Sequence, residues 1–118
     1  MLRETFESIL KIAEAHPEHK EIIESFLSNA LHAAKIFAKK QLDYGPNNIA
    51  EFGEAGVLVR MNDKMARLKN LILNNQTPRN EAIEDTLIDI ANYALIFLML
   101  RQKKWPGAKE VIIRLKEG

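Results

Sequence analysis

The chain has 118 residues, 47% hydrophobic and 28% charged, a globular composition that argues against disorder, collagen-like repeats and a second independent core. Seventeen Lys and Arg against sixteen Asp and Glu leave a net charge of +1, which argues against a nucleic-acid partner. The absence of cysteine excludes disulfides and thiolate chemistry and leads us to expect a cytoplasmic location. Since no signal peptide or apolar run of about 18 residues is present, we expect no membrane partner.

Apolar residues recur at helical spacing along most of the chain, and Gly and Pro clusters separate the segments. This pattern predicts four to five helices at Leu2–Ala15, Pro17 to about Leu42, about Ala55–Asn74, about Glu81–Lys103 and Ala108–Leu115. Turn formers from Asp43 to Gly56 predict an irregular connection, Asn75–Pro78 ends the third helix and Asn80 caps the fourth. We therefore predict an all-α bundle forming a single domain over residues 1–118, its apolar faces completed in a homodimer.

The fourth predicted helix is apolar around most of its circumference apart from one polar stripe. Asp85, Asp89 and Asn92 lie roughly 140° to 200° from Leu87 on a helical wheel. One interpretation is that the stripe simply faces water. Short acids one turn apart, however, repel each other unless a cation, a shared proton or a basic partner compensates them.

The third predicted helix offers such a basic partner. Arg60, Lys64 and Arg67 form a continuous cationic row beside its apolar stripe. If this row faces the acidic stripe, two functions compete. The charges either neutralise each other as a buried ion network, or they line a polar pocket in which Arg and Lys bind phosphates and the carboxylates hold Mg²⁺.

Three blocks in order carry a family resemblance: Lys39–Gly45 with Asp-Tyr-Gly, Gly56–Leu68 with Asp-Lys-x-x-Arg-Leu, and Glu84–Ala94 with Glu-Asp-x-x-x-Asp-x-x-Asn-Tyr. Over about residues 39–98 the chain resembles the first nucleotide modification associated domain family, small all-α proteins of phages and bacteria. The resemblance implies a role in nucleotide metabolism or modification. It makes nine motif residues candidate ligands, which are Asp43, Tyr44, Arg60, Asp63, Lys64, Arg67 and Asn92, with Asp85 and Asp89 as candidate Mg²⁺ ligands.

A weaker similarity is to the all-α NTP pyrophosphohydrolases of the MazG kind, in which carboxylates from two helices hold Mg²⁺. The chain departs from them because its second helix has no carboxylate between Glu24 and Asp43. Three hypotheses follow. The chain binds a nucleotide or a nucleotide-derived small molecule between the third and fourth helices, with Mg²⁺-dependent phosphoanhydride hydrolysis as an enzymatic version. It sequesters a nucleotide signal without catalysis, as a phage counter-defence protein would, or it is a structural or regulatory interaction module with no ligand.

Overall fold

A computed structural model describes residues 1–74 and 80–108. Every element there is helical, which confirms the all-α prediction, with α1 at Leu2–Ala15, α2 at Pro17–Tyr44, α3 at Asn47–Lys69 followed by a π-helical turn at Asn70–Asn74, and α4 at Asn80–Arg101. In these residues no helix is both long and apolar enough to cross a membrane. The predictions at Asn75–Pro78, for the side chain of Asn80 and for a helix at Ala108–Leu115 fall outside the described part, which ends at residue 108.

The chain divides into two compact units, Met1–Ile36 and Phe37–Gly118, so one domain over residues 1–118 stays a prediction. The first unit holds α1 and most of α2. Pro17 occupies the first position of α2, where the N–H that proline lacks would be left unpaired by the helix. Within it, Ala13 and Ala33 are buried. Its large apolar side chains are mostly exposed, among them Leu2, Phe6, Ile12, Ile22, Phe26 and Leu31. The helical periodicity predicted these helices correctly, but part of each apolar stripe, including Leu2, Phe6 and Phe26, is exposed.

The second unit, which begins with the last two turns of α2, has an apolar core between α3 and α4. The core side chains are buried, namely Ile49, Ala50, Val57, Ile96, Leu100 and Trp105. Trp105 follows α4, and its indole Nε1–H donates to the carbonyl oxygen of Pro46 at 3.0 Å. Its ring also meets Phe37 edge to face, with ring centroids 6.0 Å apart. Trp105, which follows the end of α4, therefore also anchors the turn between α2 and α3.

The connection predicted to be irregular from Asp43 to Gly56 is mostly helical, so that prediction was wrong. Gly45 adopts a φ of +67° and its N–H closes α2 on the carbonyl of Gln41 at 2.9 Å, after which α3 begins at Asn47. The helix can restart at once because Pro46 precedes it and its carbonyl accepts from Ala50 at 3.1 Å. The chain thus turns at Gly45 and Pro46, and a kink at Gly53 replaces the rest of the expected loop.

The end of α4 agrees with the prediction within two residues. Lys103 has a φ of +59°, and the N–H of Lys104 donates to the carbonyl of Met99 at 2.9 Å. The N–H of Lys103 donates to the carbonyl of Leu100 at 3.1 Å. This pair of bonds is the Schellman arrangement, here with lysine at the position that glycine usually takes. It reverses the chain so that Trp105 can return to the core.

Candidate functional site

Three helices meet at one carboxylate, that of Asp89 on α4. Lys64 on α3 lies with its Nζ 2.8 Å from Oδ2, and Lys40 near the end of α2 lies with its Nζ 3.1 Å from Oδ1. The Asp89 side chain is only 19% exposed, against 52% for Lys40. The acidic stripe of α4 and the cationic row of α3 therefore do face each other, through Lys64 and Asp89.

Arg60 reaches this region because of the kink in α3. Gly53, with φ 60° and ψ −154°, breaks the helix between the short segment that starts at Asn47 and the longer one that carries Arg60. In a straight helix, residues twelve apart would be separated by about 18 Å. Here the guanidinium Nη2 of Arg60 donates to Oδ1 of Asn48 at 3.2 Å. The guanidinium carbon Cζ of Arg60 lies 5.6 Å from the ring centre of Phe52. The segment before the kink thus holds Arg60 between an amide and an aromatic ring.

A cavity of about 370 Å³ opens between the end of α2, the start of α3 and the middle of α4. Its lining combines three classes of polar or aromatic side chain with a few aliphatic ones. These are the aromatic rings of Phe37, Tyr44 and Tyr93, the carboxamides of Gln41, Asn48 and Asn92, and the charged groups of Lys40, Arg60 and Asp89. A volume in this range with an apolar wall and a few convergent polar groups is typical of small-molecule sites.

A second cavity, of about 360 Å³, adjoins the other side of Asp89. It is lined by charged groups of the two facing helices, which are Lys64, Arg67, Glu81, Asp85 and the shared Asp89, together with Thr86. The hydroxyl of Thr86 donates its proton to the carbonyl of Ala82 at 2.7 Å, so towards this cavity it can only accept. This cavity has mixed charge, whereas the first contains the rings and amides.

The family model described as nucleotide modification associated domain 1 matches residues 40–100, slightly more than half of the 118 residues. The chain belongs to this family. Among curated proteins and among solved structures, none matches the chain significantly. The match confirms the resemblance inferred from the three sequence blocks, and the family's name associates it with nucleotide modification.

Within this member of nucleotide modification associated domain 1, the predicted site residues separate into three groups. Tyr44, Arg60, Asn92 and Asp89 line the first cavity. Lys64, Arg67, Asp85 and Asp89 line the second. The remaining two, Asp43 and Asp63, are exposed and line neither of these cavities.

Sequence reasoning missed several residues of the first cavity. Lys40 and Gln41 lie in the first resemblance block, three or four residues before Tyr44, which is a spacing that places side chains on one helical face. That spacing could have identified both. Tyr93 ends the motif of the third resemblance block, next to Asn92, so that motif could have identified it. Asn48 gave no comparable signal, because its place in the cavity depends on how the start of α3 packs.

The Mg²⁺ assignment of Asp85 and Asp89 stays a prediction, and the geometry sets a condition on it. Both oxygens of Asp89 accept from lysine ammonium groups, which a cation would have to displace. Within residues 1–74 and 80–108, no group of three or more His, Asp or Glu side chains could hold a metal ion together. The residues present fit a metal poorly unless the ligand supplies phosphate oxygens of its own.

The charge state of Asp89 should make the stability of the domain depend on acid pH. Burial acts to raise the pKa of Asp89, but the hydrogen bonds and charges of Lys64 and Lys40 outweigh it, so the pKa lies below its ordinary value. A carboxyl with a lowered folded pKa stabilises the fold above its unfolded pKa, about 3.9. That stabilisation is lost as the pH falls through the lower folded pKa. Asp89→Asn should therefore flatten the acid limb of the stability curve.

Urea unfolding at a series of pH values below about 5 checks this expectation. We expect Asp89→Asn to be less stable than the parent at neutral pH and the difference to shrink as the pH falls. Asp63→Asn removes an exposed carboxylate of α3 and controls for the loss of one negative charge. A constant difference between Asp89→Asn and the parent across this pH range would contradict the prediction.

Proposed function

We propose that the first cavity binds a nucleotide or a nucleotide-derived small molecule. The observation that carries this proposal is the combination, in one cavity of about 370 Å³, of aromatic rings, three carboxamides and two cations. A nucleotide needs all three, because it joins a flat base with hydrogen-bonding edges to an anionic phosphate. Apart from Phe37, the lining residues lie inside the span that matches nucleotide modification associated domain 1, which supports the same conclusion.

The base would bind at the aromatic end of the cavity. Phe37 and Tyr93 are partly buried, whereas Tyr44 is 73% exposed at the mouth, so a ring could stack on Tyr44 from outside. Carboxamides offer a donor and an acceptor side by side, which matches the hydrogen-bonding edge of a base. Gln41 would supply that recognition, since the Oδ1 of Asn48 already accepts from Arg60.

The phosphate would bind beside Lys40 and Arg60. Both cations line the first cavity, and a hydrogen bond orients each of them, from Lys40 to Asp89 and from Arg60 to Asn48. Such prior orientation reduces the entropy that binding would otherwise cost. The half-exposed ammonium of Lys40 keeps donors for an incoming oxygen, since a lysine carries three.

Lys40→Gln should weaken nucleotide binding by at least about tenfold, because a hydrogen bond to a charged group contributes roughly 1.5 to 3 kcal/mol. Lys39→Gln is the matched control, since Lys39 is exposed one residue earlier on α2 and does not line the cavity. Titration calorimetry measures the dissociation constants of the parent and both variants. The panel consists of nucleoside mono-, di- and triphosphates, in ribo and deoxy forms and with and without Mg²⁺.

The panel also separates the alternatives. If no nucleotide binds or raises the melting temperature, the cavity is not a nucleotide site and the interaction-module hypothesis is favoured. Equal losses in Lys40→Gln and Lys39→Gln would mean that binding follows net charge and not this cavity. Binding that requires Mg²⁺ and is lost in both Asp85→Asn and Asp89→Asn would support the assignment of these two aspartates to the cation.

Hydrolysis of a bound nucleotide is tested by a separate assay. Incubation with nucleoside triphosphates and Mg²⁺ tests the hydrolase version, in which a phosphoanhydride bond is cleaved by water, and Asp89→Ala should then abolish turnover. The sequestration version predicts the reverse, namely stable binding and recovery of the intact nucleotide after denaturation. We favour binding without hydrolysis, because the carboxylate best placed in the cavity is already paired with two lysines.

A further inference from the structure

Helix α4 leaves one apolar face exposed on the side opposite Asp89. Leu87 is 48% exposed and Leu98 is 50% exposed, and Ala91 and Ala94 between them are exposed as well. The cavities described above are lined by other residues of α4. Exposure of this apolar face to water is unfavourable in free energy, and α4 is the most apolar of the described helices.

The exposed face has the spacing of a coiled-coil seam. Leu87, Ala91, Ala94 and Leu98 follow each other at intervals of four, three and four residues, which are the a and d positions of two heptads. The order of side chains is also the same in both directions, large, small, small, large. A second α4 that runs antiparallel would therefore present the same face in register, with Leu87 level with Leu98 and Ala91 level with Ala94.

The charges at the two ends of this seam fit the same arrangement. Glu84 lies three residues before Leu87, and Arg101 lies three residues after Leu98, so they continue the heptad pattern. Both are exposed, and Arg101 is additionally held 3.6 Å from the buried Glu54 of α3. An antiparallel copy would place Glu84 beside Arg101 at each end. A parallel copy would instead place like charges together at both ends, which costs free energy.

We propose that two copies of this chain associate through antiparallel α4 helices, about a twofold axis that crosses the seam at the level between Asn92 and Tyr93. The interface has six layers. Glu84 meets Arg101 of the second copy at each end, Leu87 meets Leu98 next to it, and two layers of Ala91 against Ala94 form the centre. Alanine at the centre lets the two helix backbones approach to the short end of the usual 8 to 10 Å. Because the seam residues line neither cavity, this proposal does not depend on the proposed function.

Cysteine cross-linking tests both the direction and the register, since the chain has no cysteine of its own. In the antiparallel seam, position 87 of one copy is level with position 98 of the other, whereas the two positions 87 are about 16 Å apart. A disulfide requires Cα atoms within about 7 Å. We expect an oxidised mixture of Leu87→Cys and Leu98→Cys to cross-link, and each variant alone to remain uncross-linked. Val59→Cys, exposed on α3, measures disulfides formed by random collision.

Light scattering coupled to size exclusion, at about 100 μM to populate a micromolar interface, should give twice the mass of 13.5 kDa. Glu84→Arg should raise the dimer dissociation constant about tenfold, because it would face Arg101 of the second copy. Glu81→Arg makes the same charge change in the first turn of α4 but off the seam, and should have less effect. A monomer at this concentration overturns the proposal, as does cross-linking of either cysteine variant with itself, or a mixture that does not cross-link.

Discussion

Replacing Trp105 with alanine should lower the free energy of unfolding of the second unit by about 3 to 5 kcal/mol, the usual range for truncating a large buried aromatic. The side chain is only 6% exposed and belongs to the core cluster between α3 and α4. Truncation would remove its edge-to-face contact with Phe37 and leave the carbonyl of Pro46 without its indole donor. Urea unfolding followed by circular dichroism measures the loss.

Trp105→Phe separates the packing from the hydrogen bond. Phenylalanine keeps an aromatic ring against Phe37 but cannot donate to Pro46, whose carbonyl still accepts from Ala50. The variant loses one hydrogen bond, which contributes about 0.5 to 1.5 kcal/mol. We therefore expect this variant to lie between the parent and Trp105→Ala. A Trp105→Ala variant within about 1 kcal/mol of the parent would show that the segment after α4 does not hold the α2–α3 turn.

The second large effect concerns Gly53, where alanine should cost about 2 to 3 kcal/mol. Its φ of 60° and ψ of −154° fall in a region that residues with a Cβ avoid, and strain there costs on the order of 1 to 3 kcal/mol. The position is buried, so the chain has little room to adjust. Relaxing the strain by straightening α3 would carry Asn48 away from Arg60, so binding at the proposed nucleotide site should weaken together with the stability.

Gly45→Ala is the control for this prediction. Gly45 also has a positive φ, +67°, but an added Cβ would meet nothing within 4 Å, so only the left-handed conformation is penalised, at about 1 kcal/mol. The comparison is made in the same urea titration. If Gly53→Ala costs no more than Gly45→Ala, the kink in α3 is not held by glycine.

The helices could be predicted because periodicity is a local property of the sequence. The apolar spacing that predicted α1 and α4 gave their ends within two residues, since Pro17 and the Trp105-Pro106-Gly107 segment stop them locally. The stretch from Asn47 to Phe52 was missed for the opposite reason. Its two asparagines, between Gly45 and Gly53, favour turns, but burial of Ile49 and Ala50 in the core outweighs that preference and keeps it helical.

The site could be predicted only where both partners lie on amphipathic helices. Opposed stripes on α3 and α4 were visible on the helical wheel, and the contact of Lys64 with Asp89 follows from them. Lys40 could not be placed in this way, because it reaches Asp89 across 49 residues of sequence by the packing of α2 in the second unit. Arg60 was recognised as a cation, but its partner Asn48 depends on the kink.

The ring contact between Phe37 and Trp105 also has a consequence for how a unit of this family should be delimited. The two residues stand just outside the opposite ends of the matched span, residues 40–100, yet their contact closes the core across the α2–α3 turn. A segment cut at the limits of sequence similarity would lose both rings while keeping nearly every cavity residue. Transfer of the site into another protein would therefore require the chain from at least Phe37 to Trp105.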